Sequence, residues 1–207
     1  MLARLPERCL LRGHPSRLFF LVLPACVPVL HSPDGGVDEC AVWVAPENSW
    51  AQGDVPEGLC SEGWDDGEVV EDARWVDQYG AEVSMWQFYG DVVLLDFSTL
   101  WCGPCQDLAR DVQATADDYR DEGFVYLTVL VENLELAPPT QEDLNDWGDA
   151  FGITEPIVDD SANVRPSIMP DPVSYPGVFV VGRDMVIGPR LETPSDETIR
   201  AAIEVAL

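Results

Sequence analysis

The sequence predicts an α/β fold, a central mixed sheet flanked by helices, with an added N-terminal β-hairpin and a mid-chain helical insertion. Three observations carry that reading. Val92 to Phe97 and Phe124 to Val131 are apolar, β-branched runs that alternate little, as strands buried on both faces do. Between them lies a segment with helical periodicity. Two cysteines, Cys102 and Cys105, stand where the first of those strands gives way to that helix.

Taken in order, the first thirty residues are unlike the rest. Arg4, Arg8, Arg12 and Arg17 precede the apolar run Leu18 to Leu23, the layout of an export signal over residues 1–30. The run is too short and too proline-broken to be a spanning helix. Leu23-Pro24-Ala25-Cys26 is close to a bacterial lipoprotein cleavage box with Cys26 as the lipidated residue, although Pro24 fits it poorly; secretion without a lipid is the other reading. Residues 31–67 form an acidic tether rich in Pro and Gly. Trp43, Trp50 and Trp64 within it imply that it packs partly on the domain, since pure linkers seldom contain tryptophan. The domain proper is residues 68–207.

Within the domain, Arg74–Asp77 and Glu82–Met85 flank Gly80 and read as a hairpin. After the strand Val92–Phe97, a helix from Gln106 to Tyr119 has Leu108, Val112, Ala116 and Tyr119 on one stripe, and Gly123 stops it. A second helix opens at Thr140 as cap, turns Leu144, Trp147 and Phe151 inward, and ends at Gly152. Gly177–Val181 and Met185–Ile187 predict a terminal hairpin about Gly182. Thr193-Pro194 predicts the cap of a last helix with Ile199 and Ile203 inward.

The net charge is −27; four Arg against one Glu in residues 1–25 give +3, which leaves −30 on the remainder. All eleven basic residues are Arg. Such a surface repels nucleic-acid phosphates and anionic lipid, so neither is an expected partner, and membrane contact is expected only through a lipid anchor. The acid excess reads as a solvated surface, or as steering towards a basic partner.

Trp101-Cys102-Gly103-Pro104-Cys105 carries the chemistry. A helix start favours the thiolate of Cys102 over its thiol, and a thiolate is the attacking species in disulfide exchange. Cys105, one turn further in, would resolve the mixed disulfide. The same spacing is half of a zinc site, but no second C-x-x-C exists and His14 and His31 both precede the pair, so no metal is expected. Export into an oxidising compartment favours pairing of thiols. With Cys9 lost with the signal and Cys26 lost or lipidated, Cys40 and Cys60 remain beside the dithiol, and a bridge between them would pin the tether. Asp96 lies among Leu94, Leu95 and Phe97, where an acid is expensive; burial should raise its pKa and suit it to moving a proton for Cys105.

With these residues in view, the chain resembles the thioredoxin superfamily, most closely the extracytoplasmic TlpA/ResA-like redoxins. The pentapeptide, Asp96 six residues before Cys102, and Tyr175-Pro176 ahead of an apolar strand carry the resemblance, which covers about residues 68–207. It implies a thioredoxin fold and a thiol-disulfide oxidoreductase of the bacterial periplasm or cell envelope. It implies no cofactor beyond the Cys102–Cys105 disulfide, a cis Pro176, and a substrate surface of Trp101, Gly103, Pro104, Tyr175 and Pro176. Protein disulfides or dithiols would be the substrates, and a membrane thiol carrier would be a suitable electron donor. The chain departs from the family twice: no lysine can compensate Asp96, and Leu108 stands where cytochrome-maturation reductases have an acid. A thiol peroxidase of the peroxiredoxin branch shares the fold; Thr99 stands three before Cys102 as that branch requires, but Leu95 replaces its proline. A non-catalytic binding module is the third reading, disfavoured by two intact cysteines.

Overall fold

The computed structural model describes residues 40 to 207 except Ala41 and Thr193, so the expected export signal, with Cys9 and Cys26, lies outside the described residues. Strands β1 (Arg74–Val76) and β2 (Glu82–Ser84) form the expected hairpin. They are followed by β3 (Val92–Thr99), α1 (Gly103–Tyr119), β4 (Phe124–Glu132) and α2 (Gln141–Phe151). The chain continues with β5 (Ile157–Asp159), α3 (Arg165–Ile168), β6 (Gly177–Val181) and α4 (Asp196–Ala206).

The main sheet runs β5-β4-β3-β6, with β3 parallel to β4, β4 parallel to β5, and β6 antiparallel to β3. Successive side chains of a strand point to opposite faces, and β3 and β4 are apolar on both. Val93, Leu95, Phe97, Leu127 and Val129 pack with Trp75, Val83, Trp86 and Phe88 of the hairpin region. Leu94, Tyr126 and Leu130 pack with Cys105, Leu108 and Val112 of α1 and with Ile199 and Ile203 of α4. The stripe read from the sequence is thus the buried face of α1.

Four local features depart from the sequence reading or refine it. Helix α1 starts at Gly103, not Gln106, because Cys102 is its cap and Pro104 suits the first turn. Strand β5 has too little sequence of its own to announce itself. It is held by β4 and by Gln78, whose side chain donates to Glu155 O at 2.9 Å and accepts from Ile157 N at 3.0 Å. Residues Met185–Ile187 return antiparallel to β6 as expected, but as a short pairing and not a full strand: Gly182 N donates to Val186 O and Gly188 N to Val180 O, each at 2.8 Å, about the bridge Val181–Ile187, and Val186 also bridges Val69. Met185 turns with a φ of 64°, and the outer groups of this stretch are taken by Gly67 N and Val70 N. Finally, Ser195 rather than Thr193-Pro194 caps α4, its hydroxyl accepting from Thr198 N.

The tether lies on the domain. Trp64 is buried, Trp50 Nε1 donates to Asp77 at 2.6 Å, and Trp43 Nε1 donates to Ser84 Oγ at 3.0 Å. Gly53 passes so close to the backbone of Tyr89 that a Cβ there would sit 1.9 Å from its carbonyl oxygen. Cys40 and Cys60 are joined, their Cα atoms 5.2 Å apart across a sequence separation of 20. Replacing both by serine is expected to destabilise the chain by about 3 kcal/mol, the loop-closure entropy returned to the unfolded state. Chemical denaturation of the two proteins checks this; equal midpoints would mean the tether is held by its tryptophans alone.

Candidate active site

The site lies at the carboxyl ends of β3 and β4. Leaving β3, the chain turns through Leu100 and Trp101, with Leu100 N bonded to Glu132 O at 3.0 Å and Gln106 Nε2 donating to Leu100 O at 2.7 Å. Cys102 then caps α1: its Sγ accepts the Cys105 N–H at 3.1 Å. Gly103 and Pro104 take the first helical positions, so the amides of the first turn and the helix dipole converge on this sulfur. Cys102 and Cys105 are joined as a disulfide with Cα atoms 5.2 Å apart. Cys102 retains 5% exposure while Cys105 has none, so an incoming sulfur meets Cys102 first.

Asp96 is buried on β3, on the same face as Leu94, the face packed against α1 and Cys105. Its carboxyl is pushed up to about 7 by burial, with the bond from Ser98 Oγ at 2.8 Å pulling the other way. Beside it in register, Thr128 has a buried hydroxyl with no partner among the described residues. No basic group is among the causes of the shift, in keeping with a chain that has no lysine.

Tyr175 and Pro176 come to the same end because Gly177, the first residue of β6, pairs with Phe97 near the end of β3. The Tyr175–Pro176 peptide is cis; so is Asp171–Pro172, which the sequence reading did not anticipate. Trp101 is 44% exposed, not a core aromatic. Its ring stands edge-on to Tyr175 at 6.0 Å, and its Nε1 donates to Glu132 at 3.0 Å. Gly103 and Pro104 are exposed, and a Cβ on Gly103 would meet nothing within 4 Å. Of the sequence-predicted site residues, only Cys40 and Cys60 lie elsewhere. They line a cavity of about 630 Å³ with Trp43, Arg74 and Trp86, away from the dithiol.

One residue at the site escaped sequence reasoning. Arg190 donates through one nitrogen to Ser174 O, to Ser174 Oγ at 3.2 Å and to Pro176 O at 3.0 Å. It is a positioning residue for the segment facing the dithiol, and an isolated arginine beyond a strand carries no sequence signal of that role. Arg190→Ala is expected to raise KM for a disulfide substrate about tenfold with little change in kcat, the scale of a lost charge-assisted bond, and Lys should restore part of it. Steady-state kinetics on the three proteins decide. A fall in kcat alone would contradict the assignment.

Residues 67–189 match the AhpC/TSA family. A thioredoxin-like protein, YneN, of Bacillus subtilis (strain 168) is 25% identical over 108 residues, which cover 52% of this chain and 60% of that protein. The chain thus aligns with less than two thirds of that relative's length. Among solved structures, the thioredoxin domain of a thiol-disulfide oxidoreductase from Bacteroides vulgatus superposes with a TM-score of 0.58 at 21% identity, covering 69% of this chain and 99% of that one. A secreted Mycobacterium tuberculosis disulfide oxidoreductase superposes with a TM-score of 0.52 at 12% identity, over 65% of this chain and 96% of that one. At these identities the superpositions establish the fold: a thioredoxin fold, with the mixed sheet and flanking helices expected from the sequence.

Proposed function

The chain belongs to the AhpC/TSA family, as a redoxin of the thioredoxin superfamily, and from that premise we propose that it is an exported thiol-disulfide oxidoreductase acting on protein disulfides, as a reductase. The observation that carries the reading is Cys102 as the cap of α1, its sulfur receiving the Cys105 N–H. That contact and the helix dipole favour a thiolate at Cys102 once the disulfide is reduced. In the exchange, the Cys102 thiolate attacks one sulfur of a substrate disulfide, forming a mixed disulfide and releasing the first substrate thiolate. Cys105 gives its proton to Asp96 and attacks the Cys102 sulfur. The second substrate thiolate leaves, and the Cys102–Cys105 disulfide closes. Two electrons pass to the substrate, whose two sulfurs take up the proton left on Asp96 and one from solvent. An upstream thiol donor, such as a membrane carrier, returns the electrons. The open space at Gly103 and the exposed Trp101 leave room for an extended polypeptide beside Pro176.

Export rests on the basic-then-apolar N-terminus, and the Mycobacterium protein of like fold is itself secreted. The envelope or periplasm is the proposed location. Catalytic amounts of the chain should accelerate reduction of insulin disulfides by dithiothreitol; no acceleration overturns the reading. One observation favours a second reading as thiol peroxidase. Thr99, three residues before Cys102, has a buried hydroxyl with no partner among the described residues. Peroxide consumption by the Cys105→Ser protein at a rate matching disulfide exchange would favour it.

A further inference from the structure

The surface around the dithiol carries an unusual pairing of exposed apolar groups with negative charge. Leu134 is 66% exposed and Leu136 68%, two and four residues beyond Glu132, which itself holds Trp101. These leucines are displayed by a built turn. Asn133 Oδ1 accepts from Glu135 N at 3.0 Å and Ala137 N at 3.1 Å, and Asn133 N donates to Ala137 O at 2.8 Å. Asn133 Nδ2 anchors the turn on Asp143 in the cap of α2. Leu136 takes a φ of 59°, the left-handed region that a leucine adopts only under strain, while its side chain stays in solvent. Burial of the turn's own core does not explain such a display.

The rim is anionic. Glu135 is exposed between the two leucines, and the Asp171 side chain is 83% exposed although Arg165 reaches it at 3.1 Å. The Tyr175 hydroxyl is raised first by burial; Arg165 opposes this, and Glu132, Asp160 and Asp171 add to it. Two guanidiniums, Arg165 and the Arg190 that holds Ser174 and Pro176, stand among these carboxylates, and the whole chain carries −27.

We propose that this face selects cationic disulfide-bearing polypeptides, docking an apolar side chain near the substrate cysteine on Trp101, Leu134 and Leu136 while basic residues meet Glu135 and Asp171. The inference rests on the oxidoreductase reading and names its substrate class. Charge complementarity gives the occupant: an acidic partner would meet like charge across the rim, whereas a basic one is steered to it.

The test uses the reduced full-length chain and two peptides, each closed by one disulfide with Leu beside a cysteine. One carries Arg and Lys at its remaining positions, the other Asp and Glu; a small neutral disulfide serves as third substrate. At low salt the cationic peptide should be reduced at least about tenfold faster than the anionic one, and the gap should shrink several-fold at 0.5 M salt. Glu135→Lys with Asp171→Lys should narrow the gap at low salt, and Leu134→Ser with Leu136→Ser should slow the cationic peptide several-fold. Equal rates for the two peptides, or reduction of the neutral disulfide but neither peptide, overturns the substrate class and leaves the exchange chemistry standing. Reduction of none of the three overturns the oxidoreductase reading and this inference with it.

Discussion

Cys102→Ser is expected to lose at least about a thousandfold in disulfide reduction, the scale on which an enzyme fails when its nucleophile is removed. A serine hydroxyl at the same helix cap has no accessible anionic form at neutral pH, so no sulfur attacks. Cys105→Ser should behave differently. Cys102 still attacks, but nothing follows it, and a mixed disulfide with the substrate accumulates to about one equivalent. Mass spectrometry under non-reducing conditions reads both outcomes. The asymmetry comes from position: Cys102 caps α1 and keeps some exposure, while Cys105 lies in the first turn with none. Faster alkylation of Cys105 than of Cys102 at mildly acidic pH would reverse the assignment.

Asp96→Asn should make the fold more stable and the exchange slower. The Asp96 carboxyl moves from 3.8 to about 7 on folding because burial disfavours its charge. A raised acid binds its proton more tightly in the folded state than in the unfolded one. Stability is therefore greatest below the unfolded value, falls as pH rises from about 4 to about 7, and levels off above that. A shift of this size corresponds to about 4 kcal/mol at pH 8. The asparagine protein should match the parent at pH 4 and exceed it by up to about that amount at pH 8. Its turnover at neutral pH should fall about a hundredfold, since Cys105 loses its proton acceptor. Denaturation curves at several pH values and insulin reduction by the same two proteins decide both halves. A variant no more stable at pH 8 and equally fast would mean that Asp96 takes no part.

The parts of the fold legible in the sequence were those whose periodicity is long enough to be their own signal. The runs at Val92 and Phe124, the stripe from Leu108 to Tyr119 and the capped helix after Thr140 each specify their burial without help from elsewhere. The dithiol was legible for a different reason: Cys-Gly-Pro-Cys at a strand-to-helix junction constrains chemistry and shape together. Elements defined by distant partners were not legible. Strand β5 exists because Gln78 and β4 hold it, and Met185–Ile187 divides its hydrogen bonds between β6 and residues 67–70. Arg190 reaches back to Ser174 and Pro176 across a turn whose path no local pattern gives. The leucines at 134 and 136 look in sequence like any apolar pair; only their exposure, just beyond the Glu132 that holds Trp101, sets them apart.

The reduction potential of the Cys102–Cys105 pair, measured by equilibrating the full chain against dithiothreitol and glutathione couples, tests the central claim most directly. Gly and Pro between the cysteines resemble the reducing members of the superfamily. The account predicts reversible two-electron titration near about −270 mV, the potential of thioredoxin itself. A value near about −120 mV, that of a strong oxidant, would contradict the reductase assignment, and a pair that resists reduction below about −300 mV would be a structural staple.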